Sequence, residues 1–201
     1  IYWPWLMAGF VAVFAMSLPV LLAAFADNVY DAGAGGYGLL NAMVALGALM
    51  GAVASTRRRQ LRLRSVVTSA GLYGLMLCAS SLMPSMVWFS VTMVLAGFWC
   101  LMFLTAANQM VQTSSNMSIR GRVMSLYLVV LIGGQAIGGP MMGWLAEHLG
   151  PHLAVLISGG VPAIAAAVVA VVLARKSSLH IKVDLRDRRR VLRIVQEPQT
   201  A

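Results

Sequence analysis

The chain has 201 residues, 60% of them hydrophobic and 10% charged, whereas a soluble globular domain carries about 25% charged residues. That composition places it in a membrane and excludes a soluble globular domain. The net charge of +9 does not mark a nucleic-acid binder either: all fifteen Lys and Arg residues fall in three clusters, 57 to 64, 120 with 122, and 175 to 193. A nucleic-acid face gathers its basic residues on one exposed surface, and clusters separated by long apolar stretches follow instead from the positive-inside rule.

A helix needs about 20 predominantly apolar residues to cross the roughly 30 Å hydrocarbon core. In chain order, the first such segment covers about residues 5–26. It lacks the basic n-region of a signal peptide, and its apolar run is longer than an h-region of about 7 to 15 residues. Because the sequence opens on Ile1, it reads as a processed product or one piece of a longer polypeptide. The polar, glycine-rich DNVYDAGAGG leads to a second segment at about 37–56, which stops at RRRQLRLR. A third at about 65–83 is separated by Pro84 from a fourth at about 87–112. The fifth covers about 123–146 and the sixth about 153–174.

The loops after segments two and four and the tail after segment six hold every basic residue; the other loops hold none, but carry Asp27, Asp31 and Glu147. The basic side is therefore expected to be cytoplasmic, with both chain ends there. Backbone groups in lipid must be satisfied within each segment, and no alternating barrel pattern is present. The expected fold is all-α: a polytopic six-helix transmembrane bundle over 1–175, followed by a basic cytoplasmic tail at 176–201. In that tail Ile181, Val183 and Leu185 alternate as in a strand, while Leu185, Leu192 and Val195 could share one side of an interfacial helix.

Three stretches carry a likeness: GAVASTRRRQLRLR (51–64), NQMVQTSSNMSIRGRVMSLY (108–127) and GGQAIGGPMMGWLAEHLG (133–150). In this order, and at these helix ends, they resemble the C-terminal half of a major facilitator superfamily transporter, in the bacterial branch of drug and siderophore exporters. Where that family's loop often carries an Asp before its basic residues, this chain has Ser55 and Thr56. The resemblance covers about residues 1–175 and implies the family's seventh to twelfth helices, an inner-membrane location, an N-terminal six-helix half as partner, and export of a small amphipathic solute by alternating access. The cytoplasmic loop residues Arg57, Arg58, Arg59, Arg120, Gly121 and Arg122 take a topological role from the positive-inside rule, with Arg120 and Arg122 also capping the end of the fourth segment; a gating contact of these two against the other half is the alternative that the resemblance implies.

The segment GGQAIGGPMMG is explained by packing. Membrane helices associate where small residues let backbones approach, and Gly134 with Gly138, like Gly139 with Gly143, form small-xxx-small pairs. Pro140 removes the hydrogen bond to residue 136 and is expected to bend the helix. These residues form either a plain packing seam or a surface that rocks during transport.

No Asp, Glu, Lys, Arg or His occupies the middle of any segment; such residues usually mark ion pathways. The neutral polar residues left are Asn41, Asn108, Gln109, Gln112 and Gln135. The family likeness, in which the first and fourth helices of a half line the cavity, adds Met16, Ser17 and Trp99 to the substrate-pathway candidates Asn41, Asn108, Gln112 and Gln135. Interhelical packing is the alternative role for each. Cys78 and Cys100 lie in apolar helices as free thiols. Gly150 and Pro151 interrupt His148 and His152, so no metal site is expected. No catalytic constellation converges and no cofactor is expected. The functional readings are thus a transporter half that binds a small-molecule substrate in the lipid bilayer, or a stand-alone six-helix protein acting as a dimer, scaffold or inactive remnant.

Overall fold

The computed structural model describes residues 7–56, 63–113, 118 and 120–181, with side chains up to 173. Six helices in it are long and apolar enough to cross a membrane: α1 (Met7–Asn28), α2 (Gly33–Thr56), α3 (Leu63–Ser80), α4 (Met86–Thr113), α5 (Arg120–Leu149) and α6 (Pro151–Ile181). The described residues contain no strand, as expected where each backbone group must be satisfied within its own segment. The chain separates into two units, Ile1–Ala170 and Val171–Ala201. The first holds the packing described below; the described part of the second continues α6 to Ile181.

Short turns join the helices on the side that carries the acidic residues. Between α5 and α6, Gly150 has φ +86°, a left-handed conformation that glycine adopts without strain, and Pro151 fits the first helical position, where its missing N–H is not needed. Asp31, at φ +48°, turns the chain between α1 and α2. Around this end aromatic rings tie three helices, and the turn after α3, together. Phe25 of α1 stacks on Phe89 of α4 with centroids 4.6 Å apart and meets His152 of α6 edge-on at 5.0 Å. The Nδ1 of His152 lies 2.7 Å from the carbonyl oxygen of Ser81, just past α3. Tyr30 donates to the Met83 carbonyl; partial burial raises its phenol above the ordinary value, so it remains a neutral donor.

Glycines set how the helices pair, because only their missing side chains let two backbones touch in the absence of a hydrophobic drive. On α2, a Cβ at Gly47 would overlap the Val94 carbonyl of α4, and one at Gly51 would lie 2.7 Å from the Phe98 carbonyl. Gly97 of α4 returns the contact against Val44 of α2. On α5, a Cβ at Gly134 would lie 2.7 Å from that of Ala12 and one at Gly138 would overlap the Val13 carbonyl, both in α1. Gly74 of α3 and Gly159 of α6 face each other, each 2.5 Å from the other's carbonyl oxygen if given a Cβ.

The three seams obey one rule. Exchanging α1 with α4, α2 with α5 and α3 with α6 turns the α1·α5 seam into the α4·α2 seam and returns the α3·α6 seam to itself. In both parallel pairs the small-xxx-small helix is the second of its triplet, Gly47 with Gly51 and Gly134 with Gly138. This is the pairing pattern of two three-helix repeats, carried by packing positions more than by residue identity.

The buried interior is apolar and aromatic, and Phe25, Tyr73, Phe89, Phe103 and Tyr127 are its largest fully buried side chains. Outward-facing positions are apolar as well: Leu49, Val53, Ile132, Ile137 and Val168 are each more than half exposed. In water such a surface would drive association; against lipid it is the required exterior.

Candidate functional site

In its first half, α1 stops being a regular α-helix. Residues Val11–Ala15 form a π-helical turn, closed by Met16 N–H donating to Val11 O at 2.9 Å, and a regular helix resumes at Leu18. Pro19 is the sequence cause: with no N–H, it leaves the Ala15 carbonyl without its i+4 donor. Downstream, Val20 N–H donates to Ser17 O at 3.2 Å, which also releases the Met16 carbonyl.

Four consecutive carbonyls are then satisfied by side chains. Ser17 Oγ donates back to Val13 O at 3.2 Å. Ser158 of α6 donates to Phe14 O at 2.6 Å, Tyr73 of α3 to Ala15 O at 2.7 Å, and Gln135 of α5 to Met16 O at 3.3 Å. Gln135 reaches that oxygen because Gly134 and Gly138 bring the α5 backbone against α1; a Cβ at Gly138 would lie 2.6 Å from Ser17 Oγ as well. Non-helical backbone at membrane depth survives only where its polar groups are satisfied this way or face a cavity.

Here both conditions hold. A cavity of about 140 Å³ lies beside the break, lined by Met16, Leu18, Pro19 and Leu22 of α1, Asn41 and Val44 of α2, Tyr73 of α3, and Gly97 and Cys100 of α4. Asn41 and Pro19 are exposed, while the other lining residues are buried or half-buried. The walls are almost wholly apolar, and the one side-chain amide stands at the rim. Such a site can hold an uncharged group and orient it with a single hydrogen bond; no carboxylate, ammonium, guanidinium or imidazole lines it.

Of the sequence-derived pathway residues, Met16 and Asn41 line this cavity and Gln135 braces it from behind. Ser17 is buried against Val13. Trp99 is half-buried and meets Phe98 edge-on at 5.1 Å; its neighbour Cys100 is the residue that lines the cavity. Asn108 and Gln112 bond to each other at 3.0 Å, two turns and more beyond Cys100 toward the basic side. The glycine segment divides by helix face: Gly134 and Gly138 meet α1, Gly143 lies near Val20, and Gly139 faces open space. Helix α5 runs unbroken through Pro140, which is exposed. Arg120 opens α5 half-buried, Gly121 and Arg122 are exposed, and Arg57, Arg58 and Arg59 lie outside the described residues, as does the tail beyond Ile181.

Tyr73, Ser158, Cys100 and Pro19 are the contributors that pattern reading misses. The signal exists in part: a proline inside an apolar span orphans the carbonyl four residues earlier, and a lone Ser or Tyr inside another span is a ready donor. Which donor meets which carbonyl is a tertiary fact. Removing one is expected to be measurable. Tyr73→Phe should lower stability by about 1 kcal/mol, between the ~0.6 kcal/mol average of interhelical hydrogen bonds in membranes and the ~1–3 kcal/mol of a stranded buried acceptor. Thermal unfolding in detergent reads this as a lower midpoint, with Tyr37→Phe, near the start of α2, left unchanged.

A family model described as transmembrane secretion effector matches residues 6–192. No curated protein and no solved structure gives a match.

Proposed function

The chain belongs to the transmembrane secretion effector family, of the major facilitator type of membrane transporter, and from that premise we propose that it is the C-terminal half of an efflux permease exporting a small amphipathic solute by alternating access. The observation that carries the reading is the broken α1 with a mostly apolar cavity at the break, since interrupted helices near the bilayer midplane are where transporters of repeated architecture bind their cargo. The exchange rule among the glycine seams supports the same reading, as does the order of the cytoplasmic-type motifs along the sequence. Apolar walls with one rim amide favour a solute with a compact apolar part, of the kind found in drugs and siderophore-like molecules.

In this reading the basic side is cytoplasmic, the membrane is a bacterial inner membrane, and both ends of the chain lie on the cytoplasmic side. An N-terminal six-helix half, in the same polypeptide or another, supplies the facing wall. The mid-span regions here hold no Asp, Glu, Lys, Arg or His, so any coupling carboxylate belongs to that other half.

Two measurements test it together. An antibody against the tail should detect a native polypeptide near twice the 21.5 kDa of this chain. Cells expressing that polypeptide should accumulate an amphipathic dye such as ethidium or Hoechst 33342 several-fold less than cells without it. A native band at the size of this chain, with dye accumulation unchanged, would refute the reading and favour a stand-alone six-helix protein acting as a dimer, scaffold or inactive remnant.

A further inference from the structure

The cavity beside the α1 break is small enough to specify what enters it. Its volume of about 140 Å³ is close to that of an engineered apolar cavity of about 150 Å³ that stays dry and binds benzene. The walls contributed by Leu18, Leu22 and Val44 are hydrocarbon, and Gly97, packed on the Val44 backbone, adds no side chain to fill the space. Nothing charged lines it. The polar group at its mouth is Asn41, whose amide can both donate and accept.

We propose that this cavity is a subsite for one compact ring-sized apolar group of the exported solute, with Asn41 hydrogen-bonding a hydroxyl or carbonyl substituent held at the mouth. It rests on the transporter reading only for the identity of the occupant as a transported solute; the size and polarity requirements follow from the cavity. A bare aliphatic chain would gain nothing from the Asn41 amide at the mouth, and a charged group would have no counter-charge there. The subsite therefore selects a phenol-like or acylated ring over both.

The test uses the full polypeptide purified in detergent and two small probes, fluorobenzene and 4-fluorophenol, observed by fluorine NMR. The wild type is expected to bind both, 4-fluorophenol several-fold more tightly. Val44→Phe fills the space and should weaken both at least tenfold; Cys100→Leu is the second filling variant if the first does not fold. Asn41→Ala should remove the advantage of 4-fluorophenol and leave fluorobenzene unchanged. Leu75→Phe, on the outer face between α3 and α6, should leave both probes unaffected. Equal binding by wild type and a folded filling variant would overturn the proposal, because the probe would then sit in the micelle or elsewhere; so would an Asn41→Ala variant that weakens both probes alike. A protein that exports dye but shows no such binding overturns the subsite alone, whereas one that binds as expected yet exports nothing overturns the transporter reading alone.

Discussion

Gly138→Leu is expected to remove folded protein from the membrane. A Cβ at this position already overlaps the Val13 carbonyl and crowds Ser17 Oγ, and the obstacle is backbone, so no rotamer change relieves it. Overpacking in a filled interior costs about 1–3 kcal/mol and sometimes more. Here the cost falls at or above the upper end of that range, because separating α5 from α1 also draws Gln135 away from the Met16 carbonyl it caps. Against the few kcal/mol that hold a typical fold, membrane abundance should fall at least tenfold, with transport lost in proportion. Gly139→Leu, one residue along on a face with open space, is the matched control and should leave abundance unchanged. Equal abundance of the two variants would show that the α1·α5 seam is not the contact described.

Gly47→Leu should do comparable damage through the other parallel seam. A side chain there meets the Val94 carbonyl of α4, and the reciprocal closeness of Gly97 to Val44 means that pushing the helices apart undoes two backbone contacts at once. The predicted loss is again tenfold or greater in folded protein, measured as the monodisperse fraction after detergent extraction. Gly38→Leu, near the start of the same helix with nothing close to its Cβ position, should behave as wild type. The comparison of Gly47→Leu with Gly138→Leu also tests the exchange rule, which requires the two seams to be similarly intolerant. If one of them accepts leucine freely, the pairing is not equivalent in the two triplets.

The fold class is legible in the sequence because two constraints act on the chain locally. The length of an apolar run is fixed by bilayer thickness, and the basic residues collect where loops such as RRRQLRLR and RGR interrupt the runs. Six helices follow from those constraints alone. Gly134 and Gly138 are visible as a small-residue pair, but the helix they meet is not, and nothing local separates Gly138 from Gly139 beyond a rotation of about 100° around the helix axis. The site is hidden for the same reason. Pro19 announces that a carbonyl is orphaned, yet Tyr73 reads as one aromatic in a buried span until the structure places its hydroxyl on Ala15. Trp99 attracts notice by size, whereas Cys100, small and apolar in behaviour, is the residue that lines the cavity. Sequence patterns report periodicity and composition; the cavity is lined by residues of four different helices, a juxtaposition that no single segment encodes.

The caps on the α1 break also impose an order on biogenesis. The acceptors at Phe14, Ala15 and Met16 belong to the earliest of these six helices to leave the ribosome, while their donors lie 144, 58 and 119 residues later in the chain. Until those donors arrive, the segment has either to wait near the translocon's water or to remain a straighter helix with its own bonds intact as far as Pro19 permits. The break is therefore completed only when Ser158 enters the bilayer. A nascent chain cut short before α6 lacks the Ser158 cap on the Phe14 carbonyl, so α1 cannot settle into the broken geometry of the finished fold.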